Sequence, residues 1–219
     1  GPRRIVLWAG LFDGPQQPRL EGLELETAVD AVALREKEIT PAAPADPTER
    51  ALASAAAQFV IERRIHDTPA PTILAGYPWF LDWGRDTFIA LEGLCLCTGR
   101  RDVAWGVLKT FARAISEGMV PNRFDDYGRR PHYNSIDASL WFVHAAFRYL
   151  HVTGDRANFA AKLLPAVKWV LDAYRKGTRF GIHADRDKLI TGGDIDTQLT
   201  WMDAKHDGVV FTPRHGKAV

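Results

Sequence analysis

Two stretches of this chain follow one plan, and a repeated helical hairpin can be assembled in only a few ways. In the first, an apolar run from about Thr87 to Cys97 is broken by "TGRRD". A segment follows in which Val103, Val107, Leu108, Phe111, Ala114 and Ile115 recur at spacings of three and four. That spacing predicts an amphipathic helix, which Gly118 ends. Gly99 suits the left-handed residue after the first helix, and Asp102 the cap of the next. In the second stretch, "SIDASLWFVHAAFRYLHV" is a helix so apolar that little of it can face water. "TGDRA" is again the turn, and "LLPAVKWVLDAYRKG" is the amphipathic partner, with Pro165 in its opening turn. Tight turns therefore lie at one end of the structure and long connections at the other. Such hairpins stack into a solenoid or into a closed double ring with the apolar helices inside. The class is all-α.

Function is expected at the long-loop end, because loops on a rigid scaffold carry binding and catalysis. The loop before the first apolar helix holds Tyr77, Trp79, Phe80, Asp82, Trp83, Arg85 and Asp86. The second holds Asn122, Arg123, Phe124, Tyr133, Asn134 and Asp137, and the third Gln198, Trp201, Asp203 and Lys205. Flat rings beside paired donors and acceptors suit a sugar, whose C–H bonds pack on an indole while its hydroxyls need Asp, Asn and Arg together. Each group also has a structural reading. Asp82, Arg85 and Asp86 can be helix capping plus an ion pair, the aromatics can be core, Trp141 above all, Asp137 can be a cap, and Asp203 a solvated loop acid.

Residues 1–45 read differently. "RRIVLWAG" is β-like, "LELETAVDAVALREKEI" fits a helix or two strands, and "TPAAPADP" has the composition of a stiff linker. A boundary is expected at 45/46, between the end of a preceding domain and the helical unit of 46–219. Asp46, Pro47 and Glu49 then stand at cap, first and third positions of a helix through "ERALASAAAQFVIERRI".

Composition narrows the ligand. Of 219 residues 46% are hydrophobic, enough for a sizeable core, and 28 basic against 27 acidic residues give a net charge of +1. No field draws such a chain to nucleic acid or to an anionic membrane. Cys95 and Cys97 stand two apart on a helix and cannot face each other, which argues against a disulfide or a zinc site and for a reducing, cytoplasmic setting. No phosphate-cradling loop or histidine-ligand spacing is present, so no metal and no cofactor are expected. The chain opens at Gly1-Pro2 without methionine, as a processed or excised form does.

The runs "TILAGYPWFLDWGRDTFIAL", "EGMVPNRF", "YNSIDASLWF" and "QLTWMDAKHDGVVFTPRHGK" resemble, in that order, the C-terminal amylo-α-1,6-glucosidase domain of glycogen debranching enzymes, over about residues 50 to 219. The resemblance implies an (α/α)6 toroid and an inverting glucosidase that removes the α-1,6-linked glucose of a trimmed branch in glycogen or limit dextrin. It implies that Arg85 and Asp86 clamp the outer hydroxyls of that glucose. Trp79 and Trp83 would wall the subsite, Asp82 standing with them, and Asn122, Arg123, Tyr133, Asn134 and Asp137 would line its second side.

Asp203 in "TWMDAK" lies where the family places its general acid, flanked by Trp201 and Lys205. Trp201 and Met202 would supply the apolar surroundings that keep an acid protonated. The general base is expected beyond residue 219, since the family continues there and only about half of the ring would lie within this chain. Asp82 or Asp86 could be proposed as base, but the clamp suits them better. "GGDIDTQ" departs from the family's glycine-rich approach to the Gln. A half ring would leave an apolar open side, for which the expected outcomes are self-association, precipitation or a need for the missing half. The alternatives are a glucoamylase-like exo-α-1,4-glucosidase and a non-catalytic glycan-binding fragment.

Overall fold

The computed structural model describes residues 46–65, 68–76, 81–124, 131–212 and 216–217. The segment expected to precede the helical unit, 1–45, lies outside them.

Helix α1 (Pro47–Gln58) starts as the sequence predicts, the Asp46 carboxylate accepting from the backbone N–H of Thr48 at 2.8 Å and of Glu49 at 3.0 Å. It stops earlier than predicted. "VIERRI" is strand β1 (Val60–Ile65), paired antiparallel with β2 (Thr68–Ile73) in a hairpin that the helical reading of 49–65 did not foresee. The reason is tertiary. Ile73 is buried in the core, and Pro71 of β2 fills the space where a side chain on Gly106 would stand, 2.4 Å from its Cγ. Packing on the next helix thus overrides local helix preference.

The repeated unit follows. Helix α2 (Gly84–Leu91) runs on through a π-helical turn (Glu92–Leu96), and Gly99 takes a φ of +79° beyond it. Helix α3 (Arg101–Arg113) is capped at Arg100, two residues ahead of the expected cap Asp102, which lies in its first turn. The Arg100 side chain is buried, and its guanidinium donates to the carbonyls of Leu94 and Ala53, so it ties the turn to α1. Helix α4 (Asp137–Thr153) ends at Gly154 in the left-handed conformation. A single turn, α5 (Arg156–Asn158), and a π-helical stretch (Phe159–Leu163) then lead into α6 (Leu164–Lys176), with Pro165 in its first turn.

Helix α2 packs on α4, and α4 contacts both α3 and α6. Their shared core includes Phe88, Leu91, Phe111, Phe142, Val167 and Val170, with the Phe88 ring edge-on to Phe111 and Phe142 at 4.8 and 5.5 Å. Arg85 at the start of α2 meets Asp137 at the start of α4, and Glu92 farther along meets Arg148. The two apolar helices therefore run side by side in one direction. After α6 come a three-stranded sheet of β3 (His183–Ala184), β4 (Ile190–Gly192) and β7 (Gly216–Lys217), and a hairpin of β5 (Lys205–His206) and β6 (Val209–Val210). About half of the described residues are helical, with these short strands added. Among them no helix is long and apolar enough to cross a membrane.

Candidate functional site

Three chain segments are sewn together at the N-terminal ends of α2 and α4. Trp83 forms an antiparallel bridge with Arg123, which forms another with His132. The Gly84 N–H donates to the Asn122 carbonyl, the Asn122 N–H to that of His132, and the Ile136 N–H to that of Leu199, each at 2.7 Å. A side chain on Gly84 would stand 2.3 Å from the Pro121 carbonyl oxygen, so this seam requires glycine.

Arg85 is the hub. Its Nε and Nη2 donate to Asp137 Oδ2 and Oδ1 at 2.6 and 2.8 Å, the two-pronged geometry of the strongest ion pairs. Its Nη1 lies 3.8 Å from Asp203 Oδ2. Burial alone would pull the guanidinium down. The hydrogen bond to Asp137 and the charges of Asp137, Asp203 and Asp86 together hold it above its ordinary value. Ser135 completes the cluster, donating to Asp137 Oδ1 at 2.5 Å and accepting from the Ala138 N–H at 3.1 Å. Sequence reasoning passed over Ser135, although a serine three residues ahead of a first-turn N–H is itself a helix-start signal.

Asp203 is fixed by the backbone on either side of it. Thr212 Oγ1 donates to the Met202 carbonyl at 3.1 Å, and Gln198 Nε2 to that of Ala204 at 2.8 Å. Its side chain is 28% exposed. Trp201, expected as an apolar wall for the acid, is 64% exposed, and the charged neighbour of Asp203 is Arg85. Lys205 is exposed in β5.

The remaining expected residues separate into groups. Asp86 and Asn134 are exposed beside Arg85 and Ser135 in the chain. Trp83 carries the Arg123 guanidinium over its ring at 5.5 Å. Tyr133 donates its hydroxyl to the Ala114 carbonyl at 2.7 Å, and Arg179 lies 4.6 Å over its ring, so that face is taken. Arg179, which the sequence did not single out, also donates to Glu117 Oε1 at 2.9 Å and Ser116 Oγ at 2.8 Å. Asp82 turns the other way. It is buried, accepting from Thr72 Oγ1 at 3.1 Å and facing Arg63 Nη1 at 3.1 Å, so its carboxylate braces the hairpin. Asn122 is fully buried, and among the described residues neither end of its amide has a hydrogen-bond partner. Trp79, with Tyr77 and Phe80, lies outside the described residues. Among the described residues no cluster of three or more His, Cys, Asp or Glu is placed to hold a metal ion.

Exposed polar groups and the partly exposed carboxyl of Asp203 thus share one end of the helical scaffold. The family model for amylo-alpha-1,6-glucosidase matches residues 54–219. The glycogen debranching enzyme of Saccharomyces cerevisiae is 30% identical over 208 residues, covering 68% of this chain. The chain spans 14% of that relative's length. The matched region contains α2 to α6 and the whole Arg85 cluster. The chain belongs to the amylo-alpha-1,6-glucosidase family.

Proposed function

We propose that this chain is part of a glycoside hydrolase that releases glucose from the α-1,6 branch points of a branched α-glucan, glycogen or its limit dextrin. Asp203 is the general acid that protonates the leaving oxygen. A second carboxylate, supplied elsewhere in the complete protein, activates water on the opposite face of the sugar, with about 6.5–9.5 Å between the two as inversion requires. Asp86 and Asn134 offer exposed polar groups to the outer hydroxyls, and Trp83 offers the edge of a ring. The parallel α2 and α4, with α3 and α6 against α4, are read as the start of an (α/α)6 ring.

The observation that carries this reading is the meeting of Arg85, Asp137 and Asp203 from three separate segments. Helix capping explains Asp137 alone and leaves the third loop's acid at Arg85 without a purpose. The test uses the protein from its complete reading frame and measures glucose released from a glucosyl-branched limit dextrin. Asp203→Asn is expected to abolish release while dextrin affinity stays within about twofold. Undiminished release by that variant overturns the assignment. Faster turnover of maltose than of isomaltose-type substrates would move the enzyme to α-1,4 links.

A further inference from the structure

We propose that Asp137 and Ser135 are positioning residues for the reaction: they take up Nε and Nη2 of Arg85 and so hold its third nitrogen, Nη1, at a set distance from Asp203. The inference rests on the reading of Asp203 as general acid.

Asp137 was expected to line the sugar subsite, but its oxygens are largely engaged within the protein. Oδ1 accepts from Arg85 Nη2 at 2.8 Å and from the Ser135 hydroxyl at 2.5 Å, and Oδ2 accepts from Arg85 Nε at 2.6 Å. That is three of the roughly four acceptor sites a carboxylate has. Ser135 is itself fully buried, lies 3.3 Å from Arg85 Nη2 and is tied to the first turn of α4 through the Ala138 N–H. The fork is thus fixed to a helix. A guanidinium gripped along one edge can rotate little.

The consequence falls on Asp203. At 3.8 Å its Oδ2 stands farther from Nη1 than the 2.7–2.9 Å of a charge-assisted hydrogen bond. An unrestrained Arg85, only 11% exposed, would close that gap and occupy one oxygen of the carboxyl that must serve the leaving group. Asp137 prevents the capture by holding the cation from its other edge. The carboxylate therefore acts through Arg85, with no sugar contact required.

The test is steady-state glucose release by the protein from its complete reading frame. Asp137→Asn is expected to lower kcat at least tenfold, with KM within about twofold of wild type. In an Arg85→Gln background the same substitution is expected to have no further effect, since there is no cation left to restrain. Ser135→Ala keeps the carboxylate fork and gives a smaller fall in kcat with unchanged KM, which serves if Asp137→Asn does not fold. A KM raised tenfold at unchanged kcat marks direct sugar binding by Asp137 and overturns the proposal. So do losses that multiply in the double variant, or a folded Ser135→Ala enzyme with wild-type kcat. Asp203→Asn is measured beside them. Turnover persisting in that variant overturns the acid assignment, whereas an inactive Asp203→Asn with multiplying losses overturns the positioning role alone.

Discussion

Among the described residues Asn122 holds a buried amide with neither its donor nor its acceptor paired, a state that costs about 1–3 kcal/mol of desolvation for each such group. Its backbone explains its place, since the carbonyl accepts from Gly84 and the N–H donates to His132, but a leucine could make both bonds. The described fold therefore gives the amide no stabilising role. Asn122→Leu is expected to raise the unfolding free energy by about 1 kcal/mol, read from denaturant midpoints, and to weaken dextrin binding. Loss of stability together with unchanged binding would show that the amide is satisfied within the fold. The sequence indicated that Asn122, Arg85 and Asp137 share one end of the scaffold, because caps and loop ends are local signals. It gave the wrong company for Asp82. The partners of that carboxylate, Arg63 and Thr72, lie on the two strands of a hairpin the sequence did not reveal. Nor did the sequence reveal that Arg179 reaches the ring of Tyr133 from a segment far along the chain.

At the scale of elements, the turn glycines and the Asp46 cap were legible, whereas the cap of α3, expected at Asp102 and found at Arg100, and the β-hairpin were not. "FVIERRI" carries apolar residues that fit a helical continuation, and what selects the extended form is pairing with β2, the strand that packs on α3. The π-helical turn after α2 was equally hidden. It places Glu92 beside Arg148 of α4, with Arg148 Nε donating to Oε2 at 2.9 Å, so the pair ties the two parallel helices away from the site. The hydrogen bond from Arg148 holds the Glu92 carboxyl below the usual 4.5. A carboxyl depressed in the folded state adds stability above its unfolded pKa, and that contribution disappears as pH falls through the folded value. Thermal melts of wild type and Glu92→Gln are expected to differ most near neutral pH and to converge as pH falls through and below the depressed Glu92 value, where both side chains are uncharged. The gap should shrink in high salt because the pair is partly exposed. A difference in midpoint that stays constant from pH 7 to pH 3 would mean the ion pair contributes nothing.

The whole molecule poses a burial problem that follows from the same two helices. Helices α2 and α4 cover their inner faces with Phe88, Leu91 and Phe142, yet Ile89 and Phe147 each leave about half of their surface in water, and Leu140 is exposed beside them. Leu140 and Phe147 stand seven residues apart, two turns along one face of α4, and Ile89 lies on the helix running parallel to it. The helix pairing behind this was readable because hydrophobic spacing reports which face is covered. What covers the outward stripe was not, since spacing cannot separate a core face from an interface. The apolar stripe predicts that the 219-residue chain associates with itself in solution. Sedimentation velocity is expected to show an average mass that rises with protein concentration. Leu140→Glu with Phe147→Lys should return it to a single monomeric species with an unchanged helical circular-dichroism spectrum, because neither side chain belongs to the buried core. A wild-type chain that stays monomeric at its highest soluble concentration would show that water tolerates this face. The stripe would then be ordinary surface, and the apolar character of α4 would reflect only its packing against α2, α3 and α6.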